Sequence, residues 1–373
     1  MNPEQVFCPN IECMSRGQVG KGNITVHSQQ KKIYECTICE KTFSATTGTI
    51  FYRLKKDPSL VMLVLCLLAH GCPRQAIVIA FGLDERTVKN WWKKGGEHCQ
   101  RVHEHKVEGQ KLDLGQVQAD EIKAKIQGGV IWMAMAIMVS SRLWLGGVIS
   151  TKRDKSLLES LVGRIRKMAL CRPLLIAVDG LKGYVGAFYR AFRSKQERNG
   201  QRGRCKLIAW SNLNLVQVIK KRQQGQLNIE RRIVLGEQQP VNTLIEQSQG
   251  HGGINTAFIE RLNATFRSRL APLARRSRSL VAQPHTLHTG MYLVGCLYNF
   301  CTYHRSLRIP FLLSSGGQRW FQRTPAIAAG LTDHLWSLDE LFWFKVPPPF
   351  WSPPKKRGRP SKDTLRLIQQ WVT

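Results

Sequence analysis

Residues 113–179 contain apolar segments in a fixed order, and this order constrains the fold more than any other feature of the chain. Three segments with strand character, QVQADEIKAKI, GGVIWMAMAIMVSS and RLWLGGVIS, are followed by an amphipathic helix, DKSLLESLVGRIRKMAL, and then by the apolar run PLLIAVD. The first three segments suit antiparallel strands, and the last suits a parallel strand after the helix. The order predicts an α/β domain with a mixed sheet at 113–285.

Two carboxylates fall on these predicted strands. Asp120 lies within or at the end of the first strand, and Asp179 directly follows the buried strand 173–178. In a ribonuclease-H-like sheet, which has this strand order, the first and fourth strands are neighbours, so the two carboxylates are expected side by side. Such a core has a mixed five-stranded sheet, and either CKLIAW or RRIVLG could supply the fifth strand.

A third carboxylate, Glu260, lies in the arginine-rich segment NTAFIERLNATFRSRLAPLARR. This segment predicts a helix with one apolar face, formed by Phe258, Ile259, Leu262, Phe266 and Leu270. Glu260 lies off that face, with Asn263 and Arg267. A solvated Glu260 would pair with Arg261 or Arg267. Alternatively, the helix packs on the sheet and brings Glu260 to Asp120 and Asp179.

Three converging carboxylates repel one another unless divalent cations neutralise them. Oxygen ligands of this kind suit Mg²⁺ or Mn²⁺, and two such ions promote phosphodiester chemistry. Asp120, Asp179 and Glu260 are therefore the predicted catalytic residues and metal ligands. Asn263 is expected to orient Glu260 or contact the substrate. The arginines predicted to hold a DNA backbone are Arg267, Arg275 and Arg276.

The net charge supports a polyanionic partner. The 373 residues include 56 Lys and Arg against 25 acidic residues, a net charge of +31. The longest apolar runs are shorter than the roughly 20 residues that span a bilayer, so a membrane partner is not expected. Because no signal peptide is recognisable at the N-terminus, we expect a cytoplasmic protein whose cysteines are reduced or metal-bound.

Four cysteines are paired near the N-terminus. Cys8 and Cys13 are separated by four residues, and Cys36 and Cys39 by two. Two close thiolate pairs predict a closed, structural Zn²⁺ site in a zinc ribbon at 1–50, since so short a segment buries little core. The alternative is four unrelated buried thiols.

Residues 55–97 predict a helix-turn-helix. A first helix starts at Asp57, a turn at Gly82 separates two further helices, and Asp84 can cap the third. Arg86, Lys89 and Asn90 would then face a DNA major groove. An ordinary three-helix bundle has a similar pattern. The next residues, 98–112, read as a linker with solvated side chains at His98, Cys99, His103 and His105.

The C-terminal part divides into a helical extension of the core at 286–345 and a proline-rich basic tail at 346–373. KKRGRPSK in the tail resembles an AT-hook, whose Arg-Gly-Arg segment lies along a narrow minor groove. Lys356, Arg357 and Arg359 would make these contacts. The alternative is a solvated basic tail.

The acids in QADE, AVDGLKGY and NTAFIERLN resemble the Asp-Asp-Glu triad of DDE transposases from bacterial insertion sequences. YNFCTYHRSL is similar to the Tyr-Asn…His…Leu signature that follows the Glu helix in this class, although Thr302-Tyr303 replaces the usual Arg-Pro. RTPAIAAGLTDHLWSLDELF resembles its trailing segment, and the zinc ribbon and helix-turn-helix match the N-terminal layout of small members.

The resemblance covers nearly the whole chain and implies an integrase-like core with Mg²⁺-dependent strand cleavage and strand transfer. It also implies double-stranded DNA partners, both element ends and target, and a homodimer or higher oligomer on DNA in the bacterial nucleoid. Two alternatives remain open from the sequence. One is a DNA-binding regulator or inactive transposase remnant, and the other is a ribonuclease-H-like nuclease that cleaves without joining.

Overall fold

The computed structural model describes residues 2–196, 204–223, 226–275, 279–310, 320–348 and 358–371. The protein is a multidomain α/β protein with two compact units. One unit comprises Met1–Pro58 with Phe342–Thr373, and the other comprises Ser59–Leu341. None of the helices in the described residues combines the length and apolar character needed to cross a bilayer.

The first unit contains a small antiparallel sheet of β1 (Ile24–Ser28), β2 (Ile33–Cys36) and β3 (Thr42–Ser44). Its core is small and includes the buried Cys8, Cys13 and Cys36. The C-terminal helix, Lys362–Trp371, belongs to this unit: Trp371 Nε1 donates to the carbonyl of Ile11 at 3.2 Å. The tail and the cysteine-rich segment, which were predicted as separate regions, therefore share a unit.

The second unit begins with three helices, α1 (Pro58–Ala69), α2 (Arg74–Phe81) and α3 (Glu85–His103). Gly82 ends α2 with φ 58°, a conformation that glycine adopts readily. Asp84 caps α3, because its Oδ1 accepts hydrogen bonds from the backbone N–H of Arg86 (2.8 Å) and of Thr87 (3.2 Å). The predicted turn and cap therefore lie where the sequence indicates.

The main sheet follows, with two helices between its strands and two after them. In chain order these elements are β4 (Gln116–Ile126), β5 (Gly129–Met138), β6 (Trp144–Ser150), α4 (Lys155–Met168), β7 (Leu174–Asp179), α5 (Lys182–Ala191), β8 (Arg193–Lys195), β9 (Leu207–Ala209), β10 (Leu213–Gln223), β11 (Gln226–Leu235), α6 (Gln238–Gln249) and α7 (Ala257–Arg269). The sheet order is β11-β10-β7-β4-β5-β6, and β8 pairs with β9 in a separate two-stranded sheet. β7 runs parallel to both β4 and β10, and the other pairs are antiparallel, so the predicted mixed sheet is confirmed.

The sheet has six strands rather than the five expected, and neither candidate segment is the fifth. Part of CKLIAW forms β9 in a separate two-stranded sheet, and RRIVLG contributes to the edge strand β11. The fifth strand of the sheet is β10, LNLVQVIKKRQ, which pairs with the edge of β7 opposite β4. This strand was not predicted because two buried polar residues, Asn214 and Gln217, interrupt its apolar pattern. Gln217 can be buried because its Nε2 donates to the carbonyl of Asp179 at 3.1 Å.

The helices cover both faces of this sheet. α6 and α7 contact β4 on one face, and α4 contacts β5 and β6 and packs against α5. Asp120 and Glu121 are consecutive in β4 and therefore point to opposite faces. Asp120 faces α7, where Asn263 contacts it, and Glu121 faces the side of Tyr184 in α5.

The last part of the unit contains α8 (Pro284–Cys296), β12 (Ile309–Pro310), β13 (Trp320–Phe321) and α9 (Pro325–Ala328), and α10 (Leu338–Trp343) begins at its end. A π-helical turn, Leu297–Cys301, follows α8. Within it, Asn299 is fully buried; its Oδ1 accepts from the backbone N–H of Trp144 and its Nδ2 donates to the same residue's carbonyl, both at 2.9 Å. The Tyr-Asn pair of the sequence motif thus includes a residue that fastens this turn to β6.

The segment 98–112 is not the linker that we predicted. α3 continues to His103 and a π-helical turn, Glu104–Glu108, follows directly. His98, Cys99 and His103 are fully buried rather than solvated, and His105 is half-buried. The cause is the long contact between α3 and α8, which extends the core past the exposed part of α3. Histidine is polar in sequence patterns, yet a neutral imidazole can be buried in such a helix face.

Gly96 allows α3 and α8 to approach closely. A Cβ at this position would lie 2.4 Å from both Cβ and the carbonyl oxygen of Thr289 in α8. Gly96→Ala should therefore destabilise the protein by about 1–3 kcal/mol, because the helices must separate. Urea unfolding of the full chain measures this. Gly163→Ala in α4 is the control: among the described residues, a Cβ there would meet no atom within 4 Å apart from its chain neighbours and the backbone of its own helix, and alanine should be neutral or stabilising by up to about 1 kcal/mol. Equal stability of the two variants would contradict the close packing.

Candidate metal centres

The four paired cysteines come together in the first unit. Their Sγ atoms all lie within 4.8 Å of one another. Cys8 Sγ is 3.6 Å from Cys39 Sγ, and Cys13 Sγ is 3.7 Å from Cys36 Sγ. A tetrahedral site with Zn–S bonds of about 2.3 Å has sulfurs about 3.8 Å apart. The four sulfurs therefore have the spacing that a bound metal such as Zn²⁺ requires.

The surroundings of these thiols shift their pKa values in different directions. Burial alone would raise the pKa of Cys36, but hydrogen bonds from the backbone of Cys39 and Ile38 and from Asn23 lower it to about 7. Asn23 Nδ2 lies 3.2 Å from Cys36 Sγ. Burial raises the pKa of Cys8, and it raises that of Cys13 to about 11. Cys36 is thus the most readily ionised of these three thiols, and Cys8 and Cys13 would ionise on binding a cation.

The thiol cluster leads to a test on the intact protein. The full chain, purified under reducing conditions, should contain one equivalent of zinc. Cys36→Ser should lose most of it and lower the unfolding temperature, because the small sheet depends on the metal for stability. Metal analysis and thermal unfolding measure both effects. Cys171→Ser, at an exposed cysteine outside the cluster, should retain the zinc. Less than half an equivalent in the unaltered protein would contradict a zinc site.

A second candidate site lies in the other unit, in a cavity of about 630 Å³. The three carboxylates predicted from the sequence, Asp120, Asp179 and Glu260, all line it. The same cavity is lined by four basic side chains and one amide: Arg153, Lys220, Arg267, Arg275 and Asn263. Acidic and basic groups are therefore interleaved around a single cavity.

The parallel pairing of β4 and β7 brings the first two carboxylates together. Ala119 pairs with Val178, so Asp120 and Asp179 are the next residues along the two neighbouring strands. Carboxylate oxygens of Asp120, Glu121 and Asp179 lie within 4.8 Å of one another. The expected proximity of Asp120 and Asp179 is thus present, with Glu121 as an unexpected third member.

Glu260 lines the cavity but stands apart from this group of oxygens. Its carboxylate accepts hydrogen bonds from Lys220 and, at 2.6 Å, from the hydroxyl of Thr256. Asn263 Nδ2 donates to Asp120 Oδ2 at 2.8 Å. Asn263 is buried and orients Asp120, not Glu260 as one expectation had it. Glu260 pairs with Lys220, and not with the arginines of its own helix.

Electrostatics at the cavity disfavour the ionised form of Asp120. Its pKa is raised to about 7 by burial and by repulsion from Glu121, Asp179 and Glu260, although the backbone N–H of Glu121 opposes the shift. Burial would raise the pKa of Glu260, but the hydrogen bonds from Lys220 and Thr256 lower it. An all-oxygen donor set under mutual repulsion suits a hard divalent cation. The acidic group can therefore bind such a cation.

Sequence reasoning missed Arg153 and Lys220, which line this cavity, and Glu121, which accepts a hydrogen bond from Arg153. Arg153 Nη2 donates to Glu121 Oε2 at 2.9 Å and to Asp179 Oδ2 at 3.4 Å. The acidic pair Asp120-Glu121 was a usable signal. Consecutive acids in a strand covered on both faces force one carboxylate toward each face, and each then needs a partner.

The remaining residues predicted to contact DNA have varied positions. Arg86, Lys89 and Asn90 are exposed near the start of α3, where Lys89 pairs with Glu85 at 2.9 Å. Arg275 is exposed and Arg267 is half-buried at the cavity, and Arg359 is exposed. Three further predicted contacts lie outside the described residues: Arg276, Lys356 and Arg357.

Comparison with known proteins gives no independent indication of function. No protein-family model matches the sequence, and no curated protein matches it at a significant level.

The raised pKa of Asp120 makes cation binding depend on pH. A carboxyl with a pKa of about 7 must lose its proton before it binds a cation. Mn²⁺ affinity should therefore rise by about tenfold from pH 6 to pH 8 and change little above that. Titration of the protein with Mn²⁺, followed by electron paramagnetic resonance of the free ion, measures the affinity. The weaker binding left in Asp120→Asn should lack this rise, and equal affinities at pH 6 and pH 8 in the unaltered protein would refute the prediction.

Proposed function

We propose that this protein is a DNA transposase of the DDE class, which binds the ends of an insertion sequence and catalyses metal-dependent strand cleavage and strand transfer. One observation carries the proposal. Carboxylates from two neighbouring strands and one helix, Asp120, Asp179 and Glu260, line a single cavity together with the basic side chains Arg267 and Arg275. Phosphodiester chemistry on a polyanion needs both kinds of group.

The strand order supports a ribonuclease-H-like catalytic core. β4, β5 and β6 are antiparallel, α4 follows, and β7 returns parallel and adjacent to β4. α7, which bears Glu260, contacts β4 and β5. This arrangement supports one site for the three carboxylates that resemble the Asp-Asp-Glu triad. The activity is argued from that site, because a fold by itself does not determine activity.

The side chains have separable roles in the proposed reaction. Asp120 and Asp179 would hold Mg²⁺ or Mn²⁺, with Asn263 keeping Asp120 in position. When bound, two divalent cations supply activation of the attacking oxygen and stabilisation of the leaving oxygen. Glu260 would help to hold the cations if its carboxylate separated from Lys220. The freed ammonium group would then offset negative charge on the substrate.

Arginines and the helical segment would bind the DNA. Arg267 and Arg275 neutralise phosphates beside the cavity, and the exposed Arg86, Lys89 and Asn90 on α3 contact the element end. The overall charge of +31 favours association with DNA of any sequence. A bound Zn²⁺ would act structurally in the first unit. The DNA partners and an oligomer on paired ends follow from the resemblance.

A DNA-binding regulator without catalysis is the second candidate. The contact between Glu260 and Lys220 favours it, because a carboxylate that stays bound to an ammonium group cannot complete a metal site. The complete set of three carboxylates favours the enzyme, since a protein that only binds DNA gains nothing from clustering acids at a basic surface. Metal-dependent cleavage separates the two candidates.

The triad should act as one unit. Asp120→Asn, Asp179→Asn and Glu260→Gln should each lower cleavage at least 100-fold in Mg²⁺, because each removes a ligand charge. The substrate is a supercoiled plasmid carrying the gene with its flanking DNA, and gel analysis follows nicked, linear and joined products. DNA affinity, measured by fluorescence anisotropy, should fall by less than threefold.

Glu246→Gln is the matched control for these variants, because Glu246 is an exposed glutamate on α6 outside the cavity. It should cleave as the unaltered protein does. DNA binding without cleavage in the unaltered protein would favour the regulator. Cleavage without joined products would favour a nuclease. Full cleavage by one of the three variants would remove that carboxylate from the site.

A further inference from the structure

Arg153 is held at the edge of the carboxylate cavity by three neighbours. Its Nη2 donates to Glu121 Oε2 at 2.9 Å and to Asp179 Oδ2 at 3.4 Å. Its guanidinium carbon lies 4.9 Å from the centre of the Trp132 ring, a cation–π contact. A side chain fixed from three directions loses little entropy when it binds a ligand.

Glu121 is the neighbour whose position needs explanation. Its side chain is 0% exposed and lies beside the buried Tyr184, and its ion-pair partner is Arg153. A buried carboxylate is costly unless it is paired. It lies on the opposite face of β4 from Asp120, so it approaches the cavity through Arg153. Its buried carboxylate therefore holds the guanidinium group of Arg153 in place.

Arg153 itself is available to a ligand. Its side chain is 34% exposed and lines the cavity with Asp120 and Asp179. Among the described residues, both of its hydrogen bonds use Nη2 and neither uses Nη1 or Nε. Its remaining N–H groups can therefore donate a charge-assisted hydrogen bond to a phosphate oxygen.

We propose that Arg153 is a catalytic residue that binds a non-bridging oxygen of the reacting phosphodiester, and that Glu121 and Trp132 are the positioning residues that hold it. This inference rests on the proposed function. In the protein without cations, Arg153 balances the charge of Asp179. Asp179 would exchange this partner for a divalent cation, which would leave Arg153 to bind the phosphate, and Glu121 would keep the guanidinium group at the cavity. Glu121 is then not a metal ligand.

The experiment uses the full chain and compares Arg153→Gln, Arg153→Lys, Glu121→Gln and Asp179→Asn. Mn²⁺ affinity is measured without DNA by electron paramagnetic resonance. Arg153→Gln and Glu121→Gln should bind Mn²⁺ as tightly as the unaltered protein or several-fold more tightly, because the competing guanidinium is absent or loosened. Asp179→Asn should bind at least tenfold more weakly.

Two further measurements test whether Arg153 binds phosphate: the nicking rate and the effect of Mn²⁺ on DNA binding. Nicking of the plasmid should slow at least tenfold in Arg153→Gln and Glu121→Gln, mainly in kcat, and Arg153→Lys should restore part of the rate. For a labelled duplex from the flanking DNA, Mn²⁺ should tighten binding by the unaltered protein, and Arg153→Gln should lose this gain. Arg172→Gln is the control, because Arg172 is an exposed arginine that pairs with Asp113 outside the cavity.

Each result has a defined meaning. Mn²⁺ binding by Glu121→Gln as weak as that of Asp179→Asn would make Glu121 a metal ligand and overturn its positioning role. An unchanged nicking rate and an unchanged Mn²⁺-dependent gain in Arg153→Gln would overturn the phosphate role. If the unaltered protein binds Mn²⁺ but never nicks, the proposed function fails, and the duplex measurement still decides whether Arg153 binds phosphate. If Glu121→Gln does not fold, Trp132→Leu loosens the same guanidinium and should show a smaller loss of the gain, whereas an unchanged gain would count against the positioning role.

Discussion

Repulsion among carboxylates is the physical constraint on which the arrangement of the cavity depends. Oxygens of Asp120, Glu121 and Asp179 lie within 4.8 Å of one another at one level of the sheet, and Glu260 lines the same space. The fold offsets this repulsion with partners from other elements. Asn263 donates to Asp120, Arg153 bridges Glu121 and Asp179, and Lys220 binds Glu260. The basic groups at this cavity are thus part of what allows the acids to converge.

Apolar runs allowed much of the sheet to be predicted from the sequence, and buried polar residues set the limit. β4 to β7 were recognisable because their hydrophobic segments are long and separated by clear breaks. β10 was missed because Asn214 and Gln217 lie in its buried part, where their side chains find backbone acceptors. The second half of α3 was missed for the same reason: His98 is buried, and its Nε2 lies 2.9 Å from the carbonyl oxygen of Leu341.

The site was predictable where it follows from strand order and unpredictable where it depends on distant pairing. Asp120 and Asp179 follow from two neighbouring parallel strands. The pairing of Lys220 with Glu260 depends on the path of β10 beside β7, which no local pattern indicated. Glu121 was not predicted because its side chain lies on the face of β4 opposite Asp120. Arg153 donates a hydrogen bond to it there.

α3 is one continuous helix that connects a surface segment to the core. The helix has 19 residues and is therefore about 28 Å long. Its first turns carry Arg86, Lys89 and Asn90 on the surface, and its last turns are packed in the core against α8. Under the proposed function, this rigid helix fixes the distance between its DNA-contacting first turns and the core of the unit. The base pairs read at one end and the phosphate cut in the cavity would keep a constant separation, so an insertion of a few base pairs between them would misplace the cut instead of merely weakening binding.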